Sequence, residues 1–352
     1  MSRSSIDVAV APRPDSATQA IAWWLIACCA LIFLMVVIGG ITRLTESGLS
    51  ITEWRPISGI LPPLSDAAWR EAFAKYQAIP QFAAIHPEMD LTAFKGIYFW
   101  EYLHRLWGRL IGVAFALPFF YFFARGWIPW TLWPKLALIF VLGALQALLG
   151  WYMVESGLER RIEVSQYRLA AHFFAALLIY GAVLWVAFDL FWPRGAAPVG
   201  NVGIHRALNL ILALVALTAV AGAFVAGLRG GSIYNTFPLM GGGFAPSEYD
   251  AFEPFYLNWF ENPAAAQFDH RILAETTWLV VAATWLFGRR FVASHGRPRL
   301  ALDLLFATAT IQAALGISTL LTVVALPVAV AHQAGAVLLV TAALLARHAI
   351  KS

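Results

Sequence analysis

The sequence predicts an all-α integral membrane protein: eight transmembrane helices arranged as two repeat-related four-helix bundles. Three observations carry this expectation. First, 60% of the 352 residues are hydrophobic and only 12% charged, with a mean hydropathy of +0.70, against roughly 25% charged residues in an average soluble domain. Second, eight apolar runs approach the length of about 20 residues that a helix needs to cross the hydrocarbon. They lie near 21–41, 99–123, 131–154, 166–192, 204–227, 267–288, 301–323 and 326–348. Third, polar residues inside these runs recur: His104 to His270 and Gln146 to Gln312 are both displaced by 166 positions, and His172 to His332 by 160. With four spans in each half, each half starts and finishes on the same side, so the repeat is parallel and not inverted.

Taken in order, residues 1–20 form an N-terminal tail that holds Asp7 and Asp15 and little apolar surface, unlike a signal or transit peptide. The first bundle covers 21–192. Its first span ends in Gly39 to Ser50 and opens an outer segment, 42–98, that carries Trp54, Pro56, Pro62, Pro63, Trp69, Tyr76 and Phe82. That is too aromatic for a disordered linker, and a cap folded over the membrane surface is expected. Residues 193–203 link the halves, and 204–348 form the second bundle, with a shorter outer loop after its first span.

Basic flanks set the orientation. Arg3, Arg13, Arg125, Lys135, Arg194, Arg289, Arg290, Arg297, Arg299, Arg347 and Lys351 fall on one side if eight spans alternate. Arg160 and Arg161 dissent, among Glu155, Glu159 and Glu163. Both termini are therefore expected in the cytoplasm, with the chain in a bacterial inner membrane. The net charge of +4 sums two opposite faces and does not point to nucleic acid. Cys28 and Cys29 are adjacent within the first span, which excludes a loop-closing disulfide and a thiol relay on the outer face.

The chemistry concentrates in Glu101-Tyr102-Leu103-His104-Arg105 and its echo Gln267-Phe268-Asp269-His270-Arg271. Polar and charged groups at a membrane-length apolar run need a partner. In the expected topology, all four repeat-related histidines lie in the first two turns of outside-to-inside spans, about 5 to 10 Å below their outer ends. Each bundle can then offer two imidazoles at one depth, an arrangement for a haem iron held between two helices, with Arg105 and Arg271 placed for its propionates. Gly108 and Gly112 continue the His104 face at four-residue steps and leave room for a flat ring. The blander readings are histidines satisfied by neighbouring hydroxyls and arginines that snorkel to the interface. His86 and His295 fall in loops and His348 in the tail, His205 and Arg206 read as interfacial, and Gln146 and Gln312 read as hydrogen-bond glue. The halves differ at one position, where Glu101 stands three before His104 and Gln267 stands three before His270. An ionisable group retained there points to proton chemistry or a held cation, against a plain salt bridge with Arg105.

With these residues in hand, the chain resembles the haem A synthase family, in the form shared by mitochondria and alphaproteobacteria. The motifs that carry the resemblance are Gly40-Ile41-Thr42-Arg43-Leu44-Thr45-Glu46-Ser47-Gly48-Leu49-Ser50, Glu101 to Arg105, Tyr234-Asn235-Thr236-Phe237-Pro238-Leu239-Met240, Phe268 to Arg271, and His332-Gln333-Ala334-Gly335-Ala336. The resemblance implies oxidation of the carbon-8 methyl of haem O to a formyl group by successive hydroxylations, giving haem A for cytochrome oxidase. It further implies that His270 and His332 ligate a permanent haem b, that His104 and His172 form the substrate site, and that Glu101 is the catalytic carboxylate. Partnership with a haem O synthase and with oxidase assembly factors follows from the family, and an electron donor is required. Some bacterial members carry an outer-loop cysteine pair; this chain has none, so a thiol-dependent step does not transfer. The competing expectation is a dihaem b electron-transfer protein, which would need the four histidines but gives Glu101 and the aromatic cap no purpose.

Overall fold

The computed structural model describes residues 15–55, 58–158, 162–193 and 202–350. The N-terminal tail through Pro14, Pro56, Glu159 to Arg161, the linker residues 194–201 and Lys351 lie outside them. Regular structure among the described residues is helical, apart from one isolated bridge between Met240 and Gly243. The helices are α1 (Ser16–Leu44), α2 (Asp66–Gln77), α3 (Pro80–Ile85), α4 (Leu91–Ala124), α5 (Trp133–Leu158), α6 (Gln166–Phe191), α7 (Val202–Gly227), α8 (Asn258–Glu261), α9 (Pro263–Gly288), α10 (Arg297–Leu321) and α11 (Leu326–Ala349).

Local chemistry sets where these helices begin. Side chains of Asp15, Ser65 and Asp90 accept from the backbone amides of Thr18, Ala68 and Ala93 at the starts of α1, α2 and α4, relieving amides that the first helical turn leaves unpaired. Asn262 does the same for Ala264 and Ala265, with Pro263 supplying the preset first-turn backbone of α9.

Seven helices, α1, α4, α5, α6, α7, α10 and α11, are long and apolar enough to cross a membrane. The eighth expected span, α9, does not meet this measure. Helix α9 is 26 residues long, but Asp269, Arg271 and Glu275 crowd its first half and dilute its hydropathy. A correction concerns α4, which runs for 34 residues from Leu91, a length of about 50 Å at 1.5 Å per residue. His104 is therefore not in its first two turns, whereas His172, His270 and His332 are within the first two turns of α6, α9 and α11.

Packing groups the long helices by half. Helix α1 lies against α4 and α6, α5 against α6 and α4, α7 against α9 and α11, and α10 against α9 and α11. One apolar core gathers Leu25, Phe119, Leu136 and Leu184 from α1, α4, α5 and α6. Another gathers Leu208, Val281, Leu305 and Ala343 from α7, α9, α10 and α11. The halves meet through α6 on α7 and through α11 on α1 and α6. At their outer ends they are tied by four charges: Arg43 reaches Glu46 at 3.3 Å and Glu163 at 2.7 Å, while Arg229 pairs with Glu46 at 3.0 Å and also with Glu163.

The aromatic outer segment is folded. Leu49, Tyr76, Ile79 and Phe94 make its core, joined by Trp69, Phe73 and Phe82, so α2 and α3 sit on the protruding turns of α4. Phe94 packs with Trp69, Phe73 and Tyr76 at centroid distances of 6.5, 5.0 and 5.4 Å. The Tyr76 hydroxyl lies 2.7 Å from His86 Nδ1, and burial pushes the tyrosine up and the histidine down from their ordinary pKa values. Phe94→Ala should remove about 3 to 5 kcal/mol of packing from this cap, read as faster amide exchange across residues 66–85 with unchanged exchange in α6 and α11. Because the folded imidazole of His86 titrates below its unfolded value, its contribution is present above about pH 6.5 and is lost as acid protonates it. Protection of the cap amides, relative to their intrinsic exchange rates, should therefore fall on acidification below that point, and His86→Gln should flatten the dependence.

Candidate functional site

Each of the four repeat-related histidines lies against a glycine of the preceding long helix. A β-carbon built on Gly39, Gly150, Gly222 or Gly316 would stand 3.0, 3.0, 2.9 and 2.9 Å from Cε1 of His104, His172, His270 and His332 respectively. Those approaches are tighter than an alanine methyl accepts without a shift, so glycine lets each ring edge rest on a helix backbone. Gly39, Gly222 and Gly316 all stand five residues before the last residue of their helices. The depth of His104 is thus matched to that of His270 and His332 by its partner helix, although α4 begins far outside.

In the second half the two rings face each other: the His270 and His332 centroids are 6.4 Å apart with planes at 83°. Metal–imidazole bonds of about 2.0 to 2.1 Å, with each ring centre roughly 1 Å behind its nitrogen, place two rings about 6 Å apart across one metal. His270 Nδ1 donates to the Thr218 carbonyl at 3.0 Å, which leaves Nε2 bare for an iron, the usual division of labour in a ligating histidine. These residues therefore fit a bis-histidine haem. Among the described residues there is no cluster of three or more His, Cys, Asp or Glu suited to a metal ion. In the first half no ring pairing joins His104 to His172, and His172 Nδ1 is buried with no partner.

The Glu101 carboxylate is 3% exposed and acts as a four-fold acceptor. Ser50 Oγ and the Ile51 amide each donate to Oε2 at 2.7 Å, and Arg105 donates to Oε1 from Nε at 3.1 Å and Nη2 at 2.6 Å. Arg105 also donates to the Glu53 and Ile51 carbonyls at 2.8 and 2.7 Å. The Gly48 to Glu53 turn is thereby pinned to the helix that carries His104. The second half repeats the geometry with an amide: Gln267 Nε2 donates to the Gly230 and Tyr234 carbonyls at 2.9 and 3.2 Å, and its Oε1 accepts from Arg271 at 3.2 Å. Arg271 further donates to Thr236 and Tyr234 carbonyls at 2.9 and 2.8 Å, while its Nε is buried without a partner. The salt bridge that competes with a chemical role for Glu101 is thus present, and the carboxylate also holds a loop.

The structure brings Glu101, His104 and Arg105 together on α4, and Arg271, His270 and His332 at the outer end of α9 and α11. At Gly108 and Gly112, which share the His104 face, a β-carbon would meet Met35 at 3.4 Å and nothing within 4 Å respectively. Sequence reasoning missed the partner glycines, although Gly39 opens a stretch singled out above and Gly150 and Gly316 are displaced by the same 166 residues as the histidines of the first pair. His348 is not a tail residue. It is fully buried at the opposite end, where its Nε2 donates to Asp189 at 3.1 Å and its Nδ1 accepts from Arg297 at 3.0 Å. Removing one member of a buried ion pair costs about 3 to 5 kcal/mol, and removing a buried neutral hydrogen-bond partner about 1 to 3 kcal/mol. Glu101→Ala should therefore lower thermal stability in detergent more than Gln267→Ala does; equal effects would contradict a charged anchor in the first half.

The family model described as "Cytochrome oxidase assembly protein", COX15-CtaA, matches residues 22–344. The chain is 51% identical to "Heme A synthase" of Nitrosospira multiformis, over 94% of this chain and 93% of that one. It is 49% identical to "Heme A synthase" of Rhodospirillum centenum, over 96% and 91%. It is also 42% identical to human "Heme A synthase COX15", over 94% and 82%. Carrying the paired histidines, the buried Glu101 and near end-to-end similarity to these relatives, the chain belongs to the COX15-CtaA family of cytochrome oxidase assembly proteins.

Proposed function

We infer that this protein is a haem A synthase, an oxidoreductase that converts the carbon-8 methyl of haem O to a formyl group by successive hydroxylations, in the supply of haem A to cytochrome oxidase. The observation that carries the reading is the duplicated glycine–histidine arrangement with an acidic residue in one copy only, at Glu101. Its support is the similarity to curated haem A synthases along nearly the whole chain.

In this reading α9 spans the membrane with the other seven long helices. The halves, 21–192 and 204–348, form two four-helix bundles in the bacterial inner membrane, with both termini cytoplasmic and the haem sites towards the periplasm. The grouping of apolar cores by half supports the bundles, and the basic flanks support the orientation. His270 and His332 would hold a permanent haem b, which would supply one-electron transfer. Arg271, with Nε otherwise unengaged, lies where it can neutralise a propionate, and Arg105 provides the matching charge in the first half.

His104 and His172 bind the substrate haem O. Glu101 sits one helical turn before His104 with its oxygens already desolvated, and in this reading it moves the protons that methyl oxidation releases. The cap closes over the same helix and keeps bulk water from it. Upstream, a haem O synthase must deliver the substrate; downstream, oxidase assembly takes the product, and a separate donor supplies the electrons.

Chromatography with mass analysis of haems from cells that make the protein together with a source of haem O tests the reading. Wild type should yield haem A or its hydroxylated precursor. Glu101→Gln should retain bound haem and leave haem O unchanged; full conversion by a stable Glu101 variant would contradict the role given to it.

A further inference from the structure

Each half reaches into the other beside a histidine. Gln333 follows His332 on α11, and its carboxamide crosses to α1, where Nε2 donates to the Val36 carbonyl at 2.9 Å. A β-carbon on Gly40 would stand 2.5 Å from Gln333 Oε1, so only a glycine leaves room for the carboxamide there. Val36 and Gly40 are both buried, one turn apart on the same face of α1. The glycine next to Gly40 is Gly39, on which the His104 ring rests. Successive helical residues point about 100° apart, so α1 turns Gly39 to α4 of its own half and Gly40 to α11 of the other.

The equivalent place in the first half is Phe173, which follows His172 on α6 where that helix lies against α7. Phe173 packs against an apolar cluster of Ala170, Ala223, Phe224 and Ala266. Ala223 in turn follows Gly222, on which the His270 ring rests. The helix carrying the later histidine of each half thus braces the turn beneath the earlier histidine of the other half. At α11 the brace is a directional bond, and at α6 it is apolar packing.

Building on the haem reading above, we propose that Gln333 is a positioning residue for the substrate site of the opposite half: it fixes the turn of α1 on which His104 is seated. The bond to Val36 holds α1 along its axis, and the fit over Gly40 holds its rotation. With both held, the His104 ring is met at one depth and one angle, the orientation that outer contacts supply to a ligating histidine. The seat has no slack, because the His104 ring edge stands only 3.0 Å from where a Gly39 β-carbon would lie. A small turn of α1 therefore moves the ring. An interhelical hydrogen bond that served only as glue, worth about 1 kcal/mol, would hold α11 to α1 and leave His104 unaffected. The two roles separate at His104.

The test uses purified holoprotein carrying Gln333→Ala, Gly40→Ala or both. Two quantities report on the first half: the ring-nitrogen NMR signals of His104 and His172 in reduced, histidine-labelled protein, and the dissociation constant of added haem O from the Soret difference spectrum. Two report on the second half: the spectrum of the retained haem and its midpoint potential. Gln333→Ala should shift the His104 signal and leave that of His172 in place. It should weaken haem O binding about tenfold, the lower end of the cost of losing an outer support of a ligating histidine. The retained haem should keep its spectrum and potential. Gly40→Ala should act in the same direction by pushing the carboxamide off Val36. The double variant, where the smaller side chain makes room for the added methyl, should match Gln333→Ala and not exceed it. A folded Gln333→Ala protein with an unmoved His104 signal would overturn the proposal, as would equal loss of haem from both halves. Haem A production is a separate readout: its absence from the wild type would remove the function, and the His104 signal would still decide the brace.

Discussion

The constraint on which this structure depends is the contact of an imidazole edge with a glycine backbone, made four times. A histidine in a membrane-length helix is expensive unless something takes up its polarity. At Gly39, Gly150, Gly222 and Gly316 the missing side chain lets the ring approach so closely that an alanine would have to push it away. Helix spacing, ring depth and the choice of which helix follows which are all tied to those contacts. Helix α4 shows how strict the constraint is: it begins far out in the cap, yet His104 is still met by Gly39, five residues from the end of α1.

On this shared frame the halves differ at positions beside the histidines. Glu101 against Gln267 changes a neutral loop anchor into a charged one, with Arg105 and Arg271 gripping equivalent loop carbonyls in both copies. One half sets two rings 6.4 Å apart, with His270 Nδ1 held by the Thr218 carbonyl. The other sets the buried Glu101 one turn before His104, beside a folded cap.

Much of this was legible in the residues. The helical membrane class followed from composition, and the repeated histidine placement from the displacement of His104, His172 and Gln146 to their counterparts. What escaped the sequence required knowing how helices rotate against one another. Gly108 and Gly112 share a face with His104, but packing turns that face towards Met35 and open space, while the glycine that matters comes from α1. His348 read as a tail residue because its partners Asp189 and Arg297 are remote in sequence.

The central claim, one permanent and one exchangeable haem site built on the same repeat, is tested most directly by the haem content of the four single histidine-to-alanine variants purified without a haem O source. His270→Ala and His332→Ala should lose the low-spin haem b spectrum, whereas His104→Ala and His172→Ala should keep it in full. Equal loss from variants in both halves, or retention in the His270 and His332 variants, would contradict the assignment.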